Sequence, residues 1–144
     1  MHRINTFHHE NTYLLTSTGF QQVKDLIKCK TQIAIMIDNK IYYDNMVNFS
    51  KTSLKPTKLI DISFVEEDKL SYIGYSSNLT LLDSGDLIRI GDITNEALKR
   101  WNEINHVKSI QMKNRVNMIN IQTKSELGYF IATNKIGNYL YIKQ

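Results

Sequence analysis

The sequence predicts an all-β domain, compact and pseudo-twofold, made of many short strands with one short helix over about 94–104. Three observations predict it. Short runs rich in β-branched, aliphatic and aromatic residues recur about every eight to twelve residues between turn signals. A unit near the start recurs in the second half. Helical periodicity is confined to one segment. At 144 residues, 42% hydrophobic and 22% charged, the chain can bury a core as a single domain spanning 1–144.

Residues Met1 to Glu10 are polar and read as an arm or a first short strand. Thr12 to Ile27 reads as a strand, a tight turn at Gly19 where positive φ costs little, and a second strand closing on Asp25-Leu26. Lys28 to Lys30 is a charged turn. Thr31 to Ile37 alternates, breaks at Asp38-Asn39, and resumes in Ile41-Tyr42-Tyr43, which predicts a hairpin on a type I′ turn. Met46 to Ser50 is a further short strand, and Lys51 to Lys58, with the only proline (Pro56), a loop. Leu59 to Val65 and Lys69 to Ile73 read as strands joined at Glu66-Glu67-Asp68. Leu81 to Ile93 is the second copy of the opening unit: Leu-Leu, polar residues, Gly85, then Ile90-Gly91-Asp92-Ile93 against Val23-Lys24-Asp25-Leu26. Ala97, Leu98, Trp101 and Ile104 share a helical face, with Thr94 as N-cap and Glu96 in the first turn. Val107 to Met112, Val116 to Gln122, Gly128 to Thr133 and Tyr139 to Ile142 complete the strands, the last two as a hairpin.

Several classes of function are disfavoured. No apolar run approaches the roughly 20 residues that span a bilayer, and no secretory signal is visible at the start. No membrane association is expected. The single cysteine, Cys29, rules out an internal disulfide and points to a reducing compartment, the cytoplasm, or to a virion. A net charge of +4 without a block of like charges is an ordinary solubility balance. No phosphate-cradling glycine loop, nucleophile elbow or paired-histidine metal motif is present, so no cofactor or metal is expected.

The order of these pieces resembles the Hint fold of inteins and hedgehog self-processing domains. Asn11 to Leu15 through Val23 to Leu26 is similar to that family's opening block. Thr52 to Lys58 resembles the stretch that leads toward its Thr-x-x-His motif, and Ser76 to Leu82 stands where that motif belongs. Leu87 to Ile93 resembles its second Gly-Asp turn, Gly128 to Asn134 its penultimate block, and Tyr141 to Gln144 its ending in Val-His-Asn. The resemblance covers the chain from residue 7 onward, and it implies the pseudo-twofold duplication already visible.

The resemblance also implies a set of reactive groups. Self-splicing takes a nucleophile at the first position for an N-to-S or N-to-O acyl shift, a histidine on the scissile amide, and a terminal asparagine that cyclises. Family spacing back from Thr12 lands on Phe7, which has no nucleophile, with Thr6 beside it. Ser76-Ser77-Asn78-Leu79 puts Leu79 in the histidine position, Lys143 replaces the penultimate histidine, and Gln144 alone keeps a carboxamide. The degenerate positions are thus Phe7, Leu79 and Lys143. Thr6 and Gln144 are the residues that residual activity would use.

Other side chains have plainer readings beside functional ones. His8-His9-Glu10, with His106, could ligate a metal, but adjacent strand residues point to opposite faces, which favours a solvated arm. Cys29 between Lys28 and Lys30 could be a reactive thiolate or a simple turn cysteine. Lys24, Lys28, Lys30, Lys108, Lys113 and Arg115 could meet nucleic acid, or guard strand edges. The many tyrosines (Tyr42, Tyr43, Tyr72, Tyr75, Tyr129, Tyr139, Tyr141) suit an interface or half-buried strand positions. The expectation is a non-catalytic Hint-like domain, a structural or protein-interaction module with a protein partner or self-assembly, as in a phage or mobile-element particle. The alternatives are a residual self-cleaving or splicing element and a small nucleic-acid binder.

Overall fold

Asp38 and Asn39 show how local chemistry sets this chain's strands. Both adopt positive φ (50° and 64°), the geometry of a type I′ turn, whose twist matches the strands it joins. The structure, a computed structural model, describes residues 6–29, 31–54, 59–64, 71–75, 77–81, 86–92, 104–109, 116–135 and 138–144. In chain order these give β1 (Phe7–His9), β2 (Tyr13–Thr16), β3 (Gly19–Gln22), α1 (Leu26–Cys29), β4 (Ile33–Ile37), β5 (Lys40–Asp44) and β6 (Met46–Leu54). There follow β7 (Leu59–Phe64), β8 (Ser71–Tyr75), β9 (Leu79–Leu81), β10 (Leu87–Arg89), β11 (Ile104–Ser109), β12 (Val116–Thr123), β13 (Tyr129–Lys135) and β14 (Asn138–Lys143).

The strands form two antiparallel sheets. One runs β11-β7-β8-β1-β12-β6; the other runs β10-β9-β14-β13-β2-β4-β5, with β3 paired to β2. The core lies between them, with Ile119 and Ile121 of β12 packed among Leu14, Ile33, Ile35, Phe130, Leu140 and Ile142.

The duplicated unit is present, in a register that differs from the one read from Leu-Leu. The Thr12 N–H bonds the His9 carbonyl at 2.9 Å, and the Asn78 N–H bonds the Tyr75 carbonyl at 2.9 Å. The Val23 N–H bonds the Thr12 carbonyl and the Ile90 N–H the Asn78 carbonyl, both at 2.8 Å. Tyr13, Leu14 and Leu15 lie opposite Gln22, Gln21 and Phe20; Leu79, Thr80 and Leu81 lie opposite Arg89, Ile88 and Leu87. Leu14 and Leu15 therefore correspond to Thr80 and Leu81, one residue before the Leu81-Leu82 of the sequence alignment. Counterparts meet where the copies touch, since His8 pairs with Gly74 at the junction of β1 and β8. A local two-fold axis relates paired residues in an antiparallel ladder, so it passes there.

Other expectations are corrected. Asp25-Leu26 does not close a strand: β3 ends at Gln22, and a 3-10 turn over Val23–Asp25 leads into α1. Its counterpart is the 3-10 turn Ile90–Asp92. Val23 and Ile90 are both fully buried, and the helical turn is what drives each into the core. Of the two readings of residues 1–10, the short strand is the one seen at Phe7–His9: β1 lies inside a sheet between β8 and β12, with His8 and His9 buried, while residues 1–5 lie outside the described residues. Lys51 to Leu54 extend β6, held by an eight-pair ladder to β12; 55–58 lie outside the described residues. The helix expected over 94–104 also lies outside them, except that Ile104 begins β11.

Candidate functional site at the meeting of the first and last strands

The pseudo-dyad brings β1, the turn before β9 and the end of β14 together. Asn78 is the central side chain. Its backbone is fixed at both ends by the bonds to Tyr75 and Ile90, and it is 1% exposed. Its carboxamide Oδ1 accepts the Phe7 N–H at 3.2 Å, and its Nδ2 donates to the Phe7 carbonyl at 2.7 Å. Both backbone polar groups of the half-buried Phe7 are thereby satisfied across the dyad, as a neighbouring strand would satisfy them. The Phe7 ring packs edge-on against Tyr75, with centroids 5.7 Å apart. A carboxamide has no proton to exchange near neutral pH, so Asn78 can hold this peptide and polarise it weakly, but cannot protonate a leaving amine.

Thr6, immediately before Phe7, is buried and donates its hydroxyl to the Lys143 carbonyl at 3.1 Å. This bond ties the entry of β1 to the end of β14. The Lys143 amine instead reaches over the Tyr129 ring, 5.7 Å from its centroid. Gln144 is held at both backbone and side chain. Its N–H donates to the Gly128 carbonyl at 3.1 Å. Its Oε1 accepts from the Thr123 N–H (2.6 Å) and hydroxyl (2.8 Å), and its Nε2 donates to the Leu127 carbonyl at 2.8 Å. Gly128 is required there: with φ +81°, any Cβ would lie 2.6 Å from the Met36 carbonyl oxygen. Between the neighbouring strands β9 and β14, the buried Thr80 hydroxyl donates to the Tyr141 carbonyl at 3.1 Å.

The sequence-predicted residues therefore fall into two groups. Thr6, beside Phe7, meets the Lys143 carbonyl, while the adjacent Gln144 turns its side chain to Thr123 and Leu127. Leu79 sits half-buried on β9 opposite Arg89, and it is the adjacent Asn78 that bonds the Phe7 peptide. Sequence reasoning missed Asn78 because the second copy was aligned on its leucine pair. The position three residues past Tyr75, matching Thr12 after His9, is the signal that finds it. Thr123, the partner of Gln144, carried no sequence signal.

His8 and His9 follow Phe7 on β1. His8 is wholly buried, edge-on to Phe130 with centroids 5.2 Å apart, and burial lowers its pKa to about 3. The His9 Nδ1 accepts the Asn11 N–H at 3.1 Å. Its pKa is lowered mainly by burial, with Glu10 opposing and Lys24 adding to the effect. Among the described residues no three His, Cys, Asp or Glu side chains gather as a metal site. His106 lies on β11 and Cys29 ends α1. Of the basic residues, Lys24 and Lys28 are exposed, while Lys30, Lys113 and Arg115 lie outside the described residues. No described helix is long and apolar enough to cross a membrane.

No family model and no curated protein matches the sequence. Solved structures do. A bacterial intein-like domain from Clostridium thermocellum superposes with a TM-score of 0.70 at 13% identity, over 97% of this chain and 99% of that one. The TvoVMA intein gives 0.67 at 15% identity, over 95% and 97%. The DnaX mini intein from Spirulina platensis gives 0.65 at 12% identity, over 96% and 99%.

Proposed function

On an all-β intein-like fold, we propose that this chain is a non-catalytic Hint-like domain, retained as a structural or protein-interaction module. A phage or mobile-element particle is a setting that such a module would suit. The observation that carries the reading is the pairing of Phe7 with Asn78. The first residue of the domain offers no nucleophile, and the group on its peptide is a carboxamide whose two hydrogen bonds lock that peptide in place. The Gln144 side chain is likewise committed to Thr123 and Leu127, and its cyclisation would have to break those bonds. The test is expression between two foreign flanking segments followed by intact-mass measurement. The precursor is expected to persist unchanged; spliced product or released flanks would overturn the reading.

One observation favours a second reading, a residual self-cleaving element. The Thr6 hydroxyl is buried at the junction itself, 3.1 Å from the Lys143 carbonyl. In that reading its oxygen attacks the preceding carbonyl, forms an ester and frees the Thr6 amine, and water then hydrolyses the ester. The same precursor assay decides: cleavage ahead of Thr6 that is lost in Thr6→Ala would support it.

A further inference from the structure

β5 ends the larger sheet, and among the described residues it pairs only with β4. It carries no proline, glycine or bulge. Ile41, Tyr42 and Tyr43 are each half exposed, at 50%, 51% and 50%, an unusual amount of apolar and aromatic surface on one free edge. Its outward hydrogen-bonding groups follow from the hairpin. In a two-residue hairpin the closing pair, here Ile37 and Lys40, is hydrogen-bonded, and bonded pairs alternate with non-bonded ones. Lys40, Tyr42 and Asp44 thus point their N–H and carbonyl toward β4, while Ile41 and Tyr43 point theirs outward.

We propose that β5 is a self-pairing edge, and that its partner is the β5 strand of a second copy of this chain, aligned antiparallel with Tyr42 at the two-fold axis. The outward groups select that register. Ile41 of each copy exchanges both backbone bonds with the partner's Tyr43, giving four bonds that use every outward donor. The register also sets Lys40 opposite the partner's Asp44, twice. Cross-strand pairs of opposite charge stabilise a ladder, whereas like charges oppose it. Burial alone would raise the Asp44 carboxyl, but hydrogen bonds from Ser125, Thr123 and Asn45 outweigh it and hold it below its ordinary value, so this partner is charged at neutral pH. The sequence Lys-Ile-Tyr-Tyr-Asp is therefore complementary to itself in charge, backbone pattern and apolar surface. A five-residue strand falls short of the roughly 1,200 Å² of a stable interface, so the dimer is concentration-dependent.

The inference deepens the interaction-module reading by naming the partner, and its test is independent of the processing assay. Sedimentation equilibrium of the whole chain over about 1–500 µM should show a reversible dimer. Ile41→Pro removes an outward N–H without touching the β4 ladder and should weaken the dimer about tenfold or more; Lys40→Asp, which sets like charges opposite each other, should weaken it too. Circular dichroism would establish that each variant is folded, and Lys40→Asp still decides if Ile41→Pro is not. In a Cys29→Ser background, Tyr42→Cys should cross-link to its own copy on oxidation. A non-bonded antiparallel pair has Cα atoms about 4.5 Å apart, within disulfide reach. Tyr43→Cys, which faces the partner's Ile41, should not. A chain monomeric throughout the range, or Tyr43→Cys cross-linking as readily as Tyr42→Cys, would overturn the proposal, as would dimerisation unaffected by a folded Lys40→Asp.

Discussion

In the first half of the chain, the turn after β1 closes on Thr12, whose carbonyl receives the Val23 N–H. In the second half, the turn after β8 closes on Asn78, whose carbonyl receives the Ile90 N–H at the same distance. The backbone bonds coincide; the residue that makes them is threonine in one copy and asparagine in the other. Asn78 sends its carboxamide across the dyad to both polar groups of Phe7, which fastens the opening strand to the second copy. The comparison separates two kinds of constraint. The paired turns and their buried 3-10 residues are needed twice, to make the sheets. The Asn78 carboxamide serves the Phe7 peptide as well, and ties the opening strand to the second copy.

The largest effect should come from breaking the contact of Asn78 with Phe7. Asn78→Ala leaves the N–H and carbonyl of the half-buried Phe7 without that partner, at up to about 1–3 kcal/mol for each group. The expected loss is up to about 2–6 kcal/mol, read as a lower midpoint in urea unfolding. An unchanged midpoint would show that the Phe7 contact contributes nothing to stability.

The second test compares the two turns in what they share. Ile90 and Val23 are both fully buried. Ile90→Ala should cost about 2–5 kcal/mol. Val23→Ala should cost about 1 kcal/mol less, because one fewer carbon leaves the core. A Val23 loss clearly above that of Ile90 would mean that the halves are not packed alike.

Much of this was legible in the sequence. Asp38-Asn39 announced a type I′ turn, and the Gly19 and Gly85 stretches announced a duplication. What was not legible has physical causes. His8 and His9 look solvated in sequence, yet β1 is placed by β12, far along the chain, whose ladder overrides local polarity. Val23 to Leu26 fits strand and helix periodicity equally over so short a run, and burial of Val23 settles it as a 3-10 turn. The leucine pair misled the alignment because Thr80, not a leucine, fills the buried slot of Leu14, where its hydroxyl bonds the Tyr141 carbonyl. That one-residue shift hid Asn78. In the candidate site, Thr6, Phe7, Lys143 and Gln144 were singled out by order along the chain, while Thr123 was beyond reach because only the fold brings it to Gln144.

The subtlest contrast lies at the axis itself, where His8 of the first half faces Gly74 of the second. Cross-strand neighbours project to the same face, so the glycine leaves room there for the imidazole, whose ring meets Phe130 between the sheets. Burial holds the His8 pKa at about 3, against about 6.5 in the unfolded chain. The folded state therefore binds fewer protons than the unfolded state between those values, and stability rises with pH through that window. His8 contributes fully above pH 6.5, and its contribution falls by about 1.4 kcal/mol for each pH unit below it. His9, also lowered, acts in the same direction more weakly. Urea unfolding at a series of pH values from 7 to 4 should show this slope, and His8→Leu should reduce it by about one proton's worth. An unchanged slope in His8→Leu would mean that the imidazole takes up its proton in the folded state, and that the axis is more open to water than its packing indicates.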